Sequence, residues 1–219
     1  TPTGTSDPTS EWLCGRAILS PKHVGVNAIN DMIMEKFPGE MVELLSADCV
    51  APTDDNPHLY TEETLNALGD KISGLPKHKL RLKVGSIVML MRNMDSKRGL
   101  CNGTRLIVLS VNLSVLVVKQ AGGDHKGEMA FIPRMNLEPS DTDLPFVLCR
   151  RQFPVQIAFA MTINKSQGQT LAHVGLYLPD PVFSHGQLYV ALSRVGSPDD
   201  ITIFVVNVPR RQGTVHGKV

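Results

Sequence analysis

A polar segment at Thr162–Thr170, with the sequence TINKSQGQT, follows the apolar run Val155–Met161 and gathers hydroxyl, amide and ammonium groups. All of these groups can bond to phosphate or sugar oxygens, and the backbone near Gly168 can approach a ligand closely because glycine has no side chain. The side chains with this chemistry are those of Thr162, Asn164, Lys165, Ser166 and Gln167. The same string is also typical of an ordinary polar helix start, and on its own it favours that interpretation.

Arg194 ends a second segment, Gly186–Arg194 (GQLYVALSR), one residue before the last apolar position of a predicted helix. A guanidinium is always charged and forks toward two oxygens, and from this position it could extend toward an anion. In phosphoryl transfer, such an arginine stabilises charge on the transferred group, which is worth roughly 10³–10⁵ in rate. A cation in the last turn of a helix also complements the helix dipole, and for Arg194 alone that role is the commoner one.

Other parts of a nucleotide or metal site are missing from the sequence. No G-x-x-x-x-G-K-[ST] phosphate loop occurs in the 219 residues, and the histidines have no metal-ligand spacing. Cys14, Cys49, Cys101 and Cys149 stand far apart without a C-x-x-C pair. The sequence therefore predicts part of a nucleotide site, no metal site and no disulfide framework, with a reducing compartment as the default.

The elements that must position the two segments alternate between strands and helices. Val155–Met161, Val174–Leu178 and Ile201–Val206 are apolar enough for buried strands, and Ser184 with Gln187 matches a capping box for a helix between the last two. The predicted buried face of that helix consists of Leu188, Ala191, Leu192 and Val195. This β-α-β-α-β order is typical of α/β folds, in which phosphate and nucleic-acid contacts lie where strands give way to helices.

The first third of the chain continues the α/β pattern. Periodicity predicts a strand at Arg16–Ser20, a helix at Val26–Phe37, a strand at Met41–Cys49 and a short helix at Thr61–Leu68. With 42% apolar residues, the chain is able to bury a substantial core.

A region with the sequence pattern of short strands and turns separates the two parts of the α/β pattern. Four short runs rich in β-branched residues are separated by turn signals: Leu82–Met91, Arg105–Val111, Val115–Gln120 and Glu128–Pro133. This spacing predicts a small antiparallel barrel, SH3-like or OB-like, inserted into the α/β domain at roughly residues 80 to 150.

A net charge of +1 hides a local asymmetry. Residues 35 to 70 contain nine Asp or Glu against one Lys, whereas residues 77 to 98 contain seven Lys or Arg against Asp95 alone. A basic stripe beside an acidic one can steer a polyanion to one face. Lys and Arg on a solvated strand edge would also discourage aggregation, so charge alone leaves nucleic-acid binding open.

Five sequence blocks occur in the same order along the chain as in the petite-integration-frequency (Pif) family of superfamily 1B DNA helicases and their Helitron relatives, and they resemble the blocks of that family. RAILSPKHVGVNAIN at 16–30 is similar to motif IV, and RRQFPVQIAFAMTINKSQGQT at 150–170 and YVALSR at 189–194 are similar to motifs V and VI. LRLKVGSIVMLMRN at 80–93 and GLCNGTRL at 99–106 are similar to the barrel insertion called 2B.

The resemblance implies roles for individual residues. Thr162, Asn164 and Lys165, with Ser166 beside them, would face single-stranded DNA, as would Lys97, Arg98 and Asn102 at a hairpin tip. Gly168, Gln169 and Thr170 would lie toward the nucleotide, together with Lys22 of motif IV, Gln187 and Tyr189. Arg194 would be the arginine finger of the ATP site. Two residues depart from the family pattern: Asn164 stands where many members have His, and His23 stands where Asn or Lys is usual.

The resemblance also implies an architecture, namely a RecA-like P-loop-NTPase-type domain (2A) interrupted by an SH3-like barrel (2B). The expected boundaries are a disordered leader at 1–11, domain 2A at 12–79 and 153–208, domain 2B at 80–152, and a flexible tail at 209–219. Because the chain starts at Thr1 without an initiator Met, we expect it to be part of a longer protein.

The implied function is that of the C-terminal half of an ATP-dependent helicase that moves 5′ to 3′ on single-stranded DNA. The phosphate loop and the Mg²⁺ ligands would lie on an N-terminal RecA-like domain. The resemblance further implies a nuclear or mitochondrial monomer without a membrane segment, with roles in DNA repair, recombination and telomere maintenance. One alternative is a non-enzymatic nucleic-acid-binding or adaptor module, for which the basic stripe and the barrel would suffice. A nuclease or transposase accessory domain is a weaker alternative, because no cluster of carboxylates supports it.

Overall fold

The computed structural model describes residues 12–51, 60–139, 143–179 and 182–206. The α-helices whose full extent lies within these ranges are α1 (His23–Lys36), α2 (Glu62–Gly69) and α3 (Gln187–Leu192). The strands are β1 (Arg16–Ser20), β2 (Val42–Leu45), β3 (Ala47–Val50), β4 (Lys79–Leu82), β5 (Ile87–Leu90), β6 (Arg105–Val111), β7 (Val115–Gln120), β8 (Met129–Pro133), β9 (Met135–Leu137), β10 (Leu148–Gln152), β11 (Val155–Ile157), β12 (Ala160–Thr162), β13 (His173–Leu178) and β14 (Ile201–Val205). The predicted leader at 1–11 and tail at 209–219 lie outside the described residues.

Four parallel strands form a sheet in the order β12-β1-β13-β14, which confirms the predicted α/β pattern. Helix α1 covers strands β1 and β12 and buries Val26, Asn30 and Met34. The Asn30 side chain fixes β12 to this helix, because its Nδ2 donates to Ala160 O at 3.0 Å and its Oδ1 accepts from Ala160 N at 2.7 Å. A polar residue at a helix position that faces the core therefore serves as a backbone partner for a short strand.

The single strand predicted at Val155–Met161 is wrong. Strand β11 pairs antiparallel with β5, whereas β12, two residues later, pairs parallel with β1 in a different sheet. The hydrogen bond from Ala158 N to Ile87 O ends the first pairing, and the one from Ile18 N to Phe159 O begins the second. Strand β12 is buried and β11 is partly buried, and the run between Val155 and Met161 contains no turn signal that marks the change of sheet.

The strand predicted at Met41–Cys49 is also wrong as a single element. Strand β2 pairs with β4, and β3 pairs with β10, with Ser46 between them. The Ser46 N–H donates to His78 O at 3.0 Å, which extends the β2–β4 pairing by one residue before the chain enters β3.

The antiparallel region is a five-stranded sheet in the order β11-β5-β6-β7-β8, and it shares one hydrophobic core with the β2–β4 pair. This core includes Leu44 and Val155 and thus extends beyond the predicted 80–152. Strands β11 and β8 are the edges of the sheet, so a closed SH3-like barrel stays a prediction.

A third, smaller sheet, β3-β10-β9, packs against α2 and encloses the fully buried Arg150. The Arg150 guanidinium donates to both carboxylate oxygens of Asp48, to Asp70 Oδ1, to Pro76 O and to Asn66 O at 2.6–3.0 Å. All five N–H groups of the guanidinium are within bonding distance of an oxygen, which is what a charge removed from water requires.

Side chains tie the antiparallel sheet to the parallel one. Arg105 on β6 is buried and donates to Cys14 O at 2.9 Å, Arg16 O at 2.8 Å and Ala158 O at 3.3 Å, and burial lowers its pKa to about 10. Lys83 donates to Phe37 O, just beyond the end of α1, at 2.5 Å. Within the described ranges, no helix is long and apolar enough to cross a membrane.

Candidate nucleic-acid and nucleotide site

Lys22 of motif IV and the motif V segment lie at the same end of the parallel sheet. Strands β1 and β12 run in the same direction, so Lys22 after β1 and Asn164 after β12 leave the sheet at the same end. A 3₁₀ turn at Asn164–Ser166 follows β12, and the Ile163 N–H donates to Ser20 O at 3.1 Å, which fixes the start of the turn. The sheet therefore brings the motif IV and motif V loops side by side.

Gly168 has a φ of +81°, a backbone conformation that side-chain-bearing residues rarely adopt. An added Cβ would meet nothing within 4 Å, so the backbone conformation rather than space selects glycine here. The turn leaves Gln167, Gly168 and Thr170 exposed.

Two polar side chains of the motif V segment are less available than the sequence predicted. Ser166 is fully buried and its hydroxyl donates to Ile163 O at 2.7 Å, so we withdraw it from the predicted DNA contacts. Thr162 is 7% exposed, whereas Asn164 is exposed. Only the outer part of the segment can therefore meet a ligand directly.

Lys165 is half-buried, and its pKa is lowered first by burial and second by the charge of Arg92. Two cations held near each other in a poorly solvated place attract an anion, because an anion between them offsets both the desolvation and the mutual repulsion. This pair was not predicted, since Arg92 lies 73 residues before Lys165 and in a different sheet region.

A cleft of about 630 Å³ opens between α1 and the antiparallel region, and Thr162 and Lys165 belong to its wall. Lys77, Lys79 and Arg81 line the opposite side, which places part of the predicted basic stripe against the motif V segment. Acidic side chains also face the cleft: Asp31, Glu43 and Asp70. The Arg81 Nη2 lies 3.6 Å from Asp31 Oδ1, so an exposed ion pair spans the cleft from β4 to α1.

The hairpin tip predicted to contact DNA is divided by the structure. The Gln169 Nε2 donates to Gly103 O at 3.3 Å, which places Asn102 and Gly103 beside the motif V segment. Arg98 instead donates to Met129 O on β8 at 3.0 Å, and no described contact joins it or Lys97 to that segment. The prediction for Asn102 gains a structural basis that the prediction for Lys97 and Arg98 lacks.

Arg194 does not extend outward as the sequence suggested. Its Nε donates to Val190 O at 2.9 Å, its Nη1 donates to Ser166 O at 3.3 Å and to Gln169 O at 3.1 Å, and its Nη2 donates to Ser193 Oγ at 2.8 Å. These bonds occupy four of the five guanidinium N–H groups. Ser166 O also accepts from Gln169 N within the turn at 3.0 Å, so the guanidinium is a second donor to this oxygen, a contact that sequence spacing cannot reveal.

Helix α3 also differs from its prediction. It begins at Gln187 after Gly186, whose φ is +80°, and no side chain caps it, so the predicted capping box at Ser184 is wrong. Gln187 and Ala191 form the buried side, whereas Leu188 and Leu192 are exposed. A six-residue helix has less than two turns, so its buried side consists of only two residues one turn apart, Gln187 and Ala191.

The predicted nucleotide residues on α3 have opposite environments. Tyr189 is 75% exposed, whereas Gln187 is 2% exposed and neither its Oε1 nor its Nε2 has a hydrogen-bond partner among the described residues. A buried amide without partners is costly in free energy, and it is a common feature of sites that complete their bonds with a ligand. No cluster of His, Cys, Asp or Glu suited to a metal ion occurs within the described ranges.

Comparison with known proteins identifies relatives. Residues 63–111 match the family described as DNA helicase Pif1, 2B domain. The human ATP-dependent DNA helicase PIF1 is 38% identical over 177 residues, which cover 77% of this chain and 24% of the relative. The ATP-dependent DNA helicase PIF6 of Trypanosoma brucei brucei is 32% identical over 131 residues, which cover 57% of this chain and 16% of the relative. The chain thus spans a quarter or less of the length of these relatives.

Solved structures show the same arrangement of elements. A Bacteroides Pif1 bound to single-stranded DNA matches with a TM-score of 0.63 at 25% identity, covering 86% of this chain and 40% of that one. A Pif1 structure described for DNA unwinding at forked double-stranded DNA by two coordinating helicases matches with a TM-score of 0.61 at 27% identity, covering 87% of this chain and 39% of that one.

Proposed function

This chain belongs to the Pif1 helicase family, and we propose that it forms part of an ATP-dependent DNA helicase that moves 5′ to 3′ on single-stranded DNA. Its part is to hold the DNA strand and to complete an ATP site whose phosphate loop lies on a separate RecA-like domain. The proposal includes a monomeric helicase in the nucleus or mitochondrion.

In this proposal the DNA strand runs along the cleft between α1 and the antiparallel region. Lys165 and Arg92 hold one phosphate between them, and Asn164 bonds to the strand without carrying charge. Lys79 and Arg81 add cations on the opposite wall. Phosphate contacts of this kind fix the position of a strand without reading its sequence, as a translocating enzyme requires.

The chain's contribution to the ATP site consists of Arg194 and Gln187. A guanidinium and an amide both suit phosphoryl oxygens, and the buried Gln187 amide lacks other partners among the described residues. When bound, ATP with Mg²⁺ supplies the phosphoryl group that is transferred to water. The Mg²⁺ ligands belong to the other domain in this proposal, and Arg194 stabilises the charge that develops on the transferred group.

The observation that carries the proposal is the contact between Arg194 and the motif V segment. The Nη1 of Arg194 bonds to Ser166 O and Gln169 O, which flank the exposed turn next to Lys165. Arg194, proposed for the nucleotide, therefore bonds directly to the short loop that carries residues proposed to contact DNA. When Arg194 turns toward a phosphate it gives up these bonds, and the loop that contacts DNA is then free to shift.

An unwinding assay tests this function. The complete protein, with its phosphate-loop domain, is incubated with ATP and a duplex that carries a single-stranded tail at either the 5′ or the 3′ end. We expect ATP-dependent strand separation with the 5′ tail and little with the 3′ tail, and a clear reduction for Lys165→Ala. Unwinding from the 3′ tail alone would contradict the proposed direction.

The alternative is a nucleic-acid-binding or adaptor module without an ATP-dependent activity. The charged cleft would be sufficient for that role, whereas the buried Gln187 amide, which has no hydrogen-bond partner among the described residues, favours a ligand site. Tight binding of both tailed duplexes, with no strand separation and no ATP hydrolysis in the same preparation, would favour the adaptor.

A further inference from the structure

Cys49 and Cys149 lie directly opposite each other on the adjacent antiparallel strands β3 and β10, although they are 100 residues apart in the sequence. Residues paired in this way have Cα atoms roughly 4.5–5.5 Å apart, which falls within the range of about 4.4–6.8 Å that a disulfide requires. The pair is on the opposite side of these strands from the neighbouring Asp48–Arg150 pair, and both cysteines are free thiols.

The two thiols have unequal environments. Cys49 is exposed, whereas Cys149 is 7% exposed. The pKa of Cys149 is raised to about 11, first by burial, then by the charge of Cys49 and a hydrogen bond with it, and further by Glu138 and Asp48. Because the strand pairing places the two residues directly opposite each other, their side chains are neighbours on one face of the sheet. An external reagent therefore meets Cys49 first, and Cys149 lies behind it as a protected thiol.

We propose that Cys49 and Cys149 form a reversible thiol modification site for low-molecular-weight disulfides such as oxidised glutathione. The Cys49 thiolate attacks one sulfur of the glutathione disulfide, forms a mixed disulfide and releases one glutathione thiolate. Cys149 then loses its proton to water and attacks Cys49 Sγ, and the second glutathione leaves. Two protein thiols are oxidised to one disulfide, and one glutathione disulfide is reduced to two thiols.

The structure favours the second step once the first has occurred. In the mixed disulfide, Cys49 no longer carries a negative charge, so one of the causes that oppose ionisation of Cys149 is removed. Strand pairing holds the two residues opposite each other, which makes closure an intramolecular reaction between positioned groups. The resulting disulfide joins two strands that already pair, so it requires no rearrangement of the fold.

A disulfide here would close a loop that contains four of the five strands of the antiparallel sheet, β5 to β8. Closing a loop of about 100 residues stabilises mainly by restricting the unfolded chain, and we expect Tm to rise by about 5 °C or more on oxidation. In a reducing compartment such a bond is transient, so it would record oxidising conditions rather than serve as a permanent link.

Thiol mapping tests the proposal. The chain is equilibrated with mixtures of reduced and oxidised glutathione, remaining thiols are alkylated, and digested peptides are identified by mass spectrometry. We expect a peptide pair linked through Cys49 and Cys149 in the unaltered chain, and a single glutathione adduct at Cys49 in Cys149→Ser and in Cys149→Ala. Cys101→Ser, which changes a half-buried thiol elsewhere, is the matched control and should leave the linked pair unchanged.

Three results would overturn the proposal. The first is a glutathione adduct that stays at Cys49 in the unaltered chain at every ratio. The second is a link through Cys14 or Cys101, and the third is a linked pair that forms without raising Tm. Because the Cys149 variants are read by the adduct at the exposed Cys49, a modest loss of their stability does not obscure the outcome.

Discussion

Replacing Asp48 by Asn should destabilise the chain strongly, because the Arg150 charge would lose its most buried partner. Both side chains are 0% exposed, and Asp48 accepts from Nε at 3.0 Å and from Nη2 at 2.6 Å. Breaking a buried ion pair by removing one partner costs about 3–5 kcal/mol. Asp70, whose side chain is 37% exposed, still contacts Nη1 at 2.6 Å, so we expect the low end, about 3 kcal/mol.

For a chain of this size, 1 kcal/mol corresponds to a shift of roughly 2–4 °C in Tm, so Asp48→Asn should lower Tm by about 6–12 °C. Thermal unfolding followed by circular dichroism measures this shift. Asp31→Asn is the matched control, since Asp31 forms an exposed ion pair with Arg81 that is worth about 0–1 kcal/mol. A fall in Tm of less than about 2 °C for Asp48→Asn would refute the reasoning that this buried pair holds β3 to β10.

Three further predictions concern the site and its supports. The isolated chain should not hydrolyse ATP with or without DNA, because it contains no phosphate loop, and DNA-stimulated hydrolysis by pure chain that survives Arg194→Ala would contradict this. Lys165→Ala should weaken DNA binding and reduce the slope of log affinity against log salt by about 0.7, because one contact to a single-stranded phosphate is lost. Titration of fluorescent DNA at several salt concentrations measures this slope, and an unchanged slope would exclude the contact. Gly69→Ala should lower Tm, because the added Cβ would lie 2.5 Å from Arg150 Nη2. Gly196→Ala is the control and should leave Tm unchanged, because a Cβ there meets nothing within 4 Å. Equal effects of the two substitutions on Tm would show that Arg150 can move aside.

Most of the parallel sheet could be predicted from the sequence, because β1, β13 and β14 each leave a local signal, whereas the start of β12 does not. Arg16–Ser20 and Ile201–Val205 are apolar runs beside clear turn or helix signals, and the structure has strands there. The polar segment at Thr162–Thr170 was also visible as a candidate site, because it interrupts an apolar run at the end of a strand. Local composition is sufficient to predict a strand when the whole apolar run belongs to one strand in one sheet.

The rest depends on partners that are distant in the sequence. Arg150 looks like a surface residue next to Arg151 until Asp48, Asp70 and the backbone of the Asn66–Pro76 region surround it. Asn30 looks like a solvated helix position until it bonds to Ala160. Periodicity reports how polar a position is, whereas burial of a charge or an amide depends on which distant groups satisfy its hydrogen bonds.

The most direct test of the central claim is the rate of DNA-stimulated ATP hydrolysis by the complete protein with Arg194 replaced. Arg194→Ala removes the guanidinium, and Arg194→Lys keeps a positive charge without the fork that phosphoryl oxygens require. We expect both variants to lose about 10³-fold or more in turnover while binding single-stranded DNA nearly as tightly as the unaltered protein. Turnover within a few-fold of the unaltered rate in folded Arg194→Ala would contradict the account, because this chain would then contribute no arginine to the ATP site.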